Sequence, residues 1–94
     1  MIVRILGDSQ YELPDAERDA LEVLDLELDA AIREGDEDHF EKALAAAIEA
    51  VRATGTELPP SRIVPSELVL PPPGADLEEV RRLLETEASD VQDG

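Results

Sequence analysis

The fold of this chain is decided by its opening stretch, Met1-Ile-Val-Arg-Ile-Leu-Gly-Asp-Ser-Gln-Tyr-Glu-Leu13. Successive residues of a β-strand point to opposite faces of a sheet. Val3 and Ile5 therefore share one face of a first strand. The opposite face carries Ile2, Arg4 and Leu6. Aliphatic side chains therefore lie on both faces of this strand, and the rest of the chain is expected to cover the opening hairpin or to pair with it.

A second strand follows after a short turn. The residues of the turn, 7–9, are Gly-Asp-Ser, which favour tight reversals between strands. The chain can then return antiparallel from Gln10 to Leu13, with Tyr11 and Leu13 on the core side. Pro14 ends the strand because it has no N–H to donate to a neighbouring strand.

Two long helices are predicted next. The first runs from Asp15, a candidate N-cap, to about Glu34. Its apolar face is formed by Leu21, Leu24, Leu28, Ala31 and Ile32, and is widened by Val23, Leu26 and Ala30.

Gly35 is a suitable C-terminal cap for that helix, and Asp36 a suitable N-cap for the next one. A connection this short predicts an antiparallel helical hairpin. The second helix should end near Thr54 and Gly55. Its apolar face is formed by Phe40, Leu44, Ala47, Ile48 and Val51.

The remaining chain predicts a connection, a third strand and a short helix. Residues 56–65 contain three prolines and no periodicity, which indicates an extended surface connection. Residues 66–70, Ser-Glu-Leu-Val-Leu, read as an edge strand. Asp76 and Glu79 form a capping box for a helix that ends around 86–88.

These elements predict an α+β fold with a small antiparallel sheet of about three strands, packed on an antiparallel helical hairpin and a short C-terminal helix. We expect a single domain over residues 1–88. Residues 89–94 are expected to form a flexible acidic tail.

Composition restricts the function. The 94 residues include 24 acidic and 8 basic side chains, and the formal net charge is −16. Such a charge repels nucleic acid and anionic lipid. The chain has no cysteine, and no apolar run reaches the roughly 18 residues of a membrane span. We expect a cytoplasmic protein that binds no nucleic acid and does not insert into a membrane.

The residues suggest little catalytic chemistry. Carboxylate pairs at helical spacing, such as Asp25 with Asp29, are typical of a solvated helix face. Asp36 and His39 could share a metal ion, but a helix N-terminus explains both residues. We predict no catalytic, cofactor-binding or metal-binding residues. The enzyme alternative is a metal-dependent hydrolase that uses surface carboxylates and His39.

An interaction surface is the better supported prediction, because the second face of the first strand and an unpaired strand edge could both bind another chain. The last helix could instead cover that face through Leu77, Val80 and Leu84. The candidate partner surface comprises Ile2, Arg4, Leu6, Tyr11, Leu68, Val69 and Leu70. A self-associating adaptor that forms a homodimer is the alternative to a foreign partner.

The chain resembles a known family in two segments. One is the opening Met-Ile-Val-Arg-Ile-Leu-Gly-x-x-Gln-Tyr of residues 1–11. The other is Val-Pro-Ser-Glu-Leu-Val-Leu-Pro-Pro at 64–72, followed by Asp-Leu-Glu-Glu-Val-Arg at 76–81. These segments, with the acidic helical hairpin between them, resemble the small PspA-associated proteins (PspAA) found beside phage-shock protein A.

The resemblance implies a non-enzymatic accessory role in the envelope-stress response. The implied partner is a PspA-like coiled-coil protein, which would recruit this otherwise cytoplasmic chain to the inner membrane face. No catalytic residue and no cofactor come with the family.

Overall fold

The computed structural model describes residues 1–62 and 64–82. Four strands, two long helices and the start of a third helix make up this part of the chain. The strands are β1 (Ile2–Ile5), β2 (Gln10–Glu12), β3 (Thr56–Glu57) and β4 (Leu68–Leu70). The helices are α1 (Arg18–Glu34), preceded by a single 3₁₀ turn over Asp15–Glu17, α2 (Glu37–Thr54) and α3, which is helical over residues 77–82.

The strands form one mixed sheet in the order β3-β2-β1-β4. The opening hairpin is confirmed, because β1 pairs antiparallel with β2 and Val3 lies opposite Tyr11. The predicted third strand is also confirmed as an edge strand, β4. Its direction was predicted wrongly, since β4 runs parallel to β1, with Arg4 opposite Val69. The α+β class therefore holds, but the sheet is neither purely antiparallel nor limited to three strands.

The additional strand is β3, in a segment that we had expected to be an unpaired connection. It follows α2 directly, and Glu57 lies opposite Tyr11 on β2. The backbone N–H of Leu58 extends the pairing by donating to the carbonyl of Gln10 at 2.8 Å. A two-residue strand is too short to show an alternating pattern in the sequence. Its pairing depends instead on the position of the C-terminal end of α2, which places the following residues beside β2.

The turn between α1 and α2 has the predicted caps. Gly35 adopts a left-handed φ of 71°, and its N–H donates to the carbonyls of Ala31 and Ile32. The carboxylate of Asp36 accepts a hydrogen bond from the backbone N–H of His39 at 3.1 Å. The N-cap predicted at Asp15 is wrong: its carboxylate lies 3.7 Å from the N-terminal ammonium group instead.

The core lies between the sheet and the helical hairpin. Val3, Ile5 and Phe40 are among its fully buried side chains. The apolar face of α1 is narrower than predicted, because Val23 is 58% exposed and Leu26 is 67% exposed. Both side chains lie on the opposite side of α1 from Leu21 and Leu28, which are buried in the core, so they cannot reach the sheet or α2.

The last helix lies on the helical side of the domain. Asp76 caps it by accepting from the N–H of Glu79 at 2.8 Å, as predicted. Leu77 and Val80 are buried in the main core, and Arg81 lies beside Gly35 in the turn between α1 and α2. The predicted end of this helix, Leu84 and the predicted tail at 89–94 lie outside the described residues.

Candidate interaction surfaces

The predicted partner surface divides between the two faces of the sheet. Arg4 and Val69 are exposed and lie in register on the face turned away from the helices. Leu6, which is 38% exposed, continues this face beyond Arg4, and Val69 is 50% exposed. We call Arg4, Leu6 and Val69 the outer-face patch. Ile2 lies on the same face and is half-buried.

The other three predicted residues lie on the core side. Tyr11 and Leu70 are buried, and Leu68 is half-buried and packs against the core. The register explains this result, because Leu68 and Leu70 lie opposite Val3 and Ile5. These side chains build the sheet, so the outer-face patch is the part of the predicted surface that a partner can reach.

The outer face of the sheet is partly covered, but by a different segment from the one predicted. The connection from β3 to β4 passes over it, held by the side chain of Gln10. This side chain shares the outer face with Arg4, which lies opposite it in register. Its amide nitrogen, Nε2, donates to the carbonyl of Val64 at 2.8 Å and to Ser66 Oγ at 2.7 Å.

Gln10 is the one buried polar side chain among the described residues, with 7% exposure. The connection is also fixed by backbone bonds at both ends: Leu58 N–H donates to Gln10, and Glu67 N–H donates to Ile2. Leu58 is buried but lies outside the main core cluster.

The expectation that α3 covers this face is therefore wrong, because α3 lies on the helical side. A glutamine flanked by strand residues is a weak signal for such a role, and the role was not predicted for Gln10.

A polar cluster ties the β1–β2 turn to α2. The carboxylate of Asp8 accepts a hydrogen bond from Arg52 Nη2 at 2.8 Å and one from the hydroxyl of Tyr11 at 3.3 Å. The hydrogen bond from Arg52 is the main cause that lowers the pKa of Asp8 below its ordinary value. On α1 the opposite occurs: burial, reinforced by the nearby charge of Asp29, raises the pKa of Asp25.

These two pKa shifts predict opposite effects on the stability of the fold when the carboxylate is removed. Asp8 stabilises the fold when charged, and this contribution is lost as pH falls through its lowered folded pKa. Asp25 destabilises the fold when charged, and this cost disappears as pH falls through its raised folded pKa. We expect Asp8→Asn to lower the urea midpoint at about pH 7, Asp25→Asn to raise it, and both differences to shrink at about pH 3. A urea midpoint at about pH 7 that shifts in the same direction for both variants would contradict the opposite roles of the two carboxylates.

His39 lies among carboxylates on the surface of the hairpin. Its Nε2 is 3.2 Å from Glu27 Oε2, and its Nδ1 is 4.0 Å from Glu34 Oε1. Asp36, which had been considered with His39 as a metal ligand and explained as a helix cap, uses its carboxylate to cap α2. Within residues 1–62 and 64–82, no group of three or more His, Cys, Asp or Glu side chains is arranged to hold a metal ion.

An apolar groove runs along α2. Leu44 and Ile48 line it on the helix, and the loop over residues 73–75 forms the other wall. Its volume is about 690 Å³. Glu41, Glu49 and Arg52 also line the groove, so charged side chains of both signs border its apolar part.

The helices of the described segments all fall short of the length and apolar character that a membrane crossing requires.

The family model "PspAA: PspA-Associated protein" matches residues 1–93. No match was found among curated proteins or among solved structures.

Proposed function

This chain belongs to the PspA-associated (PspAA) family, and we propose that it is a non-enzymatic accessory protein that associates with a PspA-like coiled-coil protein in the phage-shock response to membrane stress. The observation that carries the proposal is the family match over residues 1–93. The family is described by its association with PspA, and the match extends over both β1 and β4. In this proposal the chain is cytoplasmic and reaches the inner membrane face through its partner.

The outer-face patch is the proposed contact with that partner. It is apolar at Leu6 and Val69 and cationic at Arg4, on a protein whose formal net charge is −16. Val69 also lies on an edge strand, where another chain can approach without displacing a neighbouring strand. The patch is too small to form a complete stable interface, so it would be one part of a larger contact with the partner.

Co-sedimentation with the assembled PspA homologue from the same source tests the association. We expect the wild-type chain to sediment with the PspA assembly and to remain in the supernatant without it. Leu6→Asp combined with Val69→Asp should reduce the sedimented fraction at least about fivefold, because the charges would be buried in an apolar contact. Ala46→Asp, at an exposed position of α2 outside the patch and the groove, is the control and should sediment like wild type.

Two results would count against this proposal. Absence of the wild-type chain from the PspA pellet would refute the association itself. Equal sedimentation of the double variant and Ala46→Asp would leave the association intact but place it on another surface. Light scattering over a range of concentrations would show whether self-association, the alternative role, occurs without PspA.

A further inference from the structure

A second exposed apolar surface lies on α1, on the side facing away from the core. Leu26 is 67% exposed and Val23 is 58% exposed, the two highest exposures of large hydrophobic side chains in the described part of the chain. They are three residues apart, so they lie on the same face of the helix. Ala30, which is half-buried, extends this face toward the C-terminal end of the helix. We call Val23, Leu26 and Ala30 the α1 seam.

The spacing of the α1 seam is that of a helix-packing stripe. Val23, Leu26 and Ala30 are separated by three and then four residues, as in the a and d positions of a heptad. From Val23 to Ala30 the stripe is about 10 Å long at 1.5 Å per residue. Asp19 and Arg33 occupy the next positions of the same spacing and end the stripe. Ala30 presents little bulk, which allows a second helix to approach closely.

Acidic side chains flank the α1 seam on both sides. Glu22 and Asp29 lie along one flank, and Glu27 lies along the other, 3.2 Å from His39. Glu34 continues the flank of Glu27. The cation on this face near the C-terminal end of α1 is Arg33, whose guanidinium lies 2.8 Å from the carboxylate of Asp29. The borders of the seam therefore carry net negative charge.

We propose that the α1 seam binds one amphipathic helix of another protein, with an apolar stripe bordered by lysine or arginine. Apolar contact would bury Val23 and Leu26, and the basic borders would pair with the carboxylates on both flanks. This surface lies on the far side of the helical layer from the outer-face patch. Binding at the α1 seam requires a helix of this chemistry, whichever protein supplies it, and is therefore a separate contact from the proposed association with PspA through the outer-face patch.

The distribution of charge argues against two other occupants of the α1 seam, a second copy of this chain and the chain's own C-terminal segment. A second copy packed through its own α1 seam would place acidic flanks against acidic flanks, which is unfavourable. The C-terminal segment 85–94 of this chain contains four acidic residues and no basic residue. A basic foreign helix is the occupant whose charges complement the seam.

The test uses two fluorescent synthetic helical peptides that share a leucine stripe. One has lysine at the bordering positions and the other has glutamate. Binding to the full chain is followed by fluorescence anisotropy. We expect saturable binding of the lysine peptide, and binding of the glutamate peptide that is weaker by at least about tenfold.

The variant Val23→Gln with Leu26→Gln removes the apolar contact without changing the net charge. Glutamine also favours helix, so the circular dichroism spectrum should remain that of wild type. We expect at least about tenfold weaker binding of the lysine peptide. The control, Ala46→Gln, changes an exposed position of α2 outside the groove and should bind within about twofold of wild type.

Three results would overturn the proposal. The first is no saturable binding of the lysine peptide. The second is equal binding by wild type and the Val23 and Leu26 variant, which would mean attraction by net charge alone. The third is a wild-type dimer that the same variant abolishes, which would make the occupant a second copy. Since the probes are peptides, failure here leaves the association with PspA to its own experiment.

Discussion

Replacing Gln10 with glutamate is expected to destabilise the protein by about 3 kcal/mol at neutral pH, because a buried acid would replace a buried hydrogen-bond donor. The Gln10 amide donates both of its known bonds, to the Val64 carbonyl and to Ser66 Oγ. A carboxylate has no hydrogen to donate to the carbonyl and would face its oxygen directly. The side chain is 7% exposed, so water can compensate little of this loss.

The effect of Gln10→Glu should depend on pH. Burial beside an acceptor raises the folded-state pKa of the introduced carboxyl group above its unfolded value of about 4.3. The destabilisation is then complete above the folded pKa and decreases as pH falls toward the unfolded value. Protonation restores one donor, which can again bond to the Val64 carbonyl.

Urea unfolding at about pH 8 and about pH 5 measures this dependence. Gln10→Met is the matched control: it keeps the length of the side chain, removes the donor and introduces no charge. We expect it to cost about 1–2 kcal/mol at both pH values. No loss of stability in Gln10→Met would show that Gln10 does not hold the connection through its amide. An equal loss for the two variants at about pH 8 would show that the introduced charge adds no cost of its own.

The local features of the fold were predictable because their causes are local. The alternation of Val3 and Ile5 with Arg4 places β1 correctly, and the Gly35-Asp36 pair marks the turn between the helices. Each depends on side chains within a few residues of one another. The same is true of Asp76, whose carboxylate caps the helix that it precedes.

The features that were not predicted depend on distant contacts. The direction of β4 depends on how the chain returns to the sheet after β3, and Gln10 holds this connection at Val64, 54 residues away in the sequence. The two-residue strand β3 has no pattern of its own. Val23 and Leu26 are an error of another kind, because the helical period itself places them on the opposite side of α1 from Leu21 and Leu28.

The path of the connection also determines the candidate site. By covering the outer face near Gln10 and Ile2, it confines the accessible apolar surface of the sheet to the outer-face patch. Tyr11 had been predicted on the core side and also included in the partner surface, and its pairing with Val3 confirms the core side. Leu70 had been assigned to the partner surface from strand membership alone. Its face depends on the register with β1, which a single sequence does not contain.

Gly55→Ala is expected to destabilise the protein by about 3 kcal/mol, near the upper end of the usual cost of overpacking. Gly55 follows α2 and leads into β3, and its φ of −95° and ψ of 160° suit any residue. The cost is therefore steric. An added Cβ would lie 2.6 Å from the carbonyl oxygen of Val51, 3.0 Å from Leu13 Cδ1 and 3.2 Å from Tyr11 Cβ.

The nearest of these atoms cannot move cheaply. The Val51 carbonyl accepts a hydrogen bond from the Gly55 N–H at 2.8 Å, which closes the end of α2. Moving that oxygen away would lengthen this bond and shift β3 relative to β2. Since β3 begins the path that leads over the outer face, the substitution should also loosen the connection held by Gln10.

Gly74→Ala provides the control for Gly55→Ala. Gly74 has a left-handed φ of 79°, but an added Cβ would meet nothing within 4 Å. Its cost should be the conformational penalty alone, about 1–2 kcal/mol. Denaturant unfolding should therefore rank Gly55→Ala as the more damaging change, although its backbone angles are ordinary. The reverse ranking would show that the end of α2 can relax, and that close approach at Gly55 is not what positions β3.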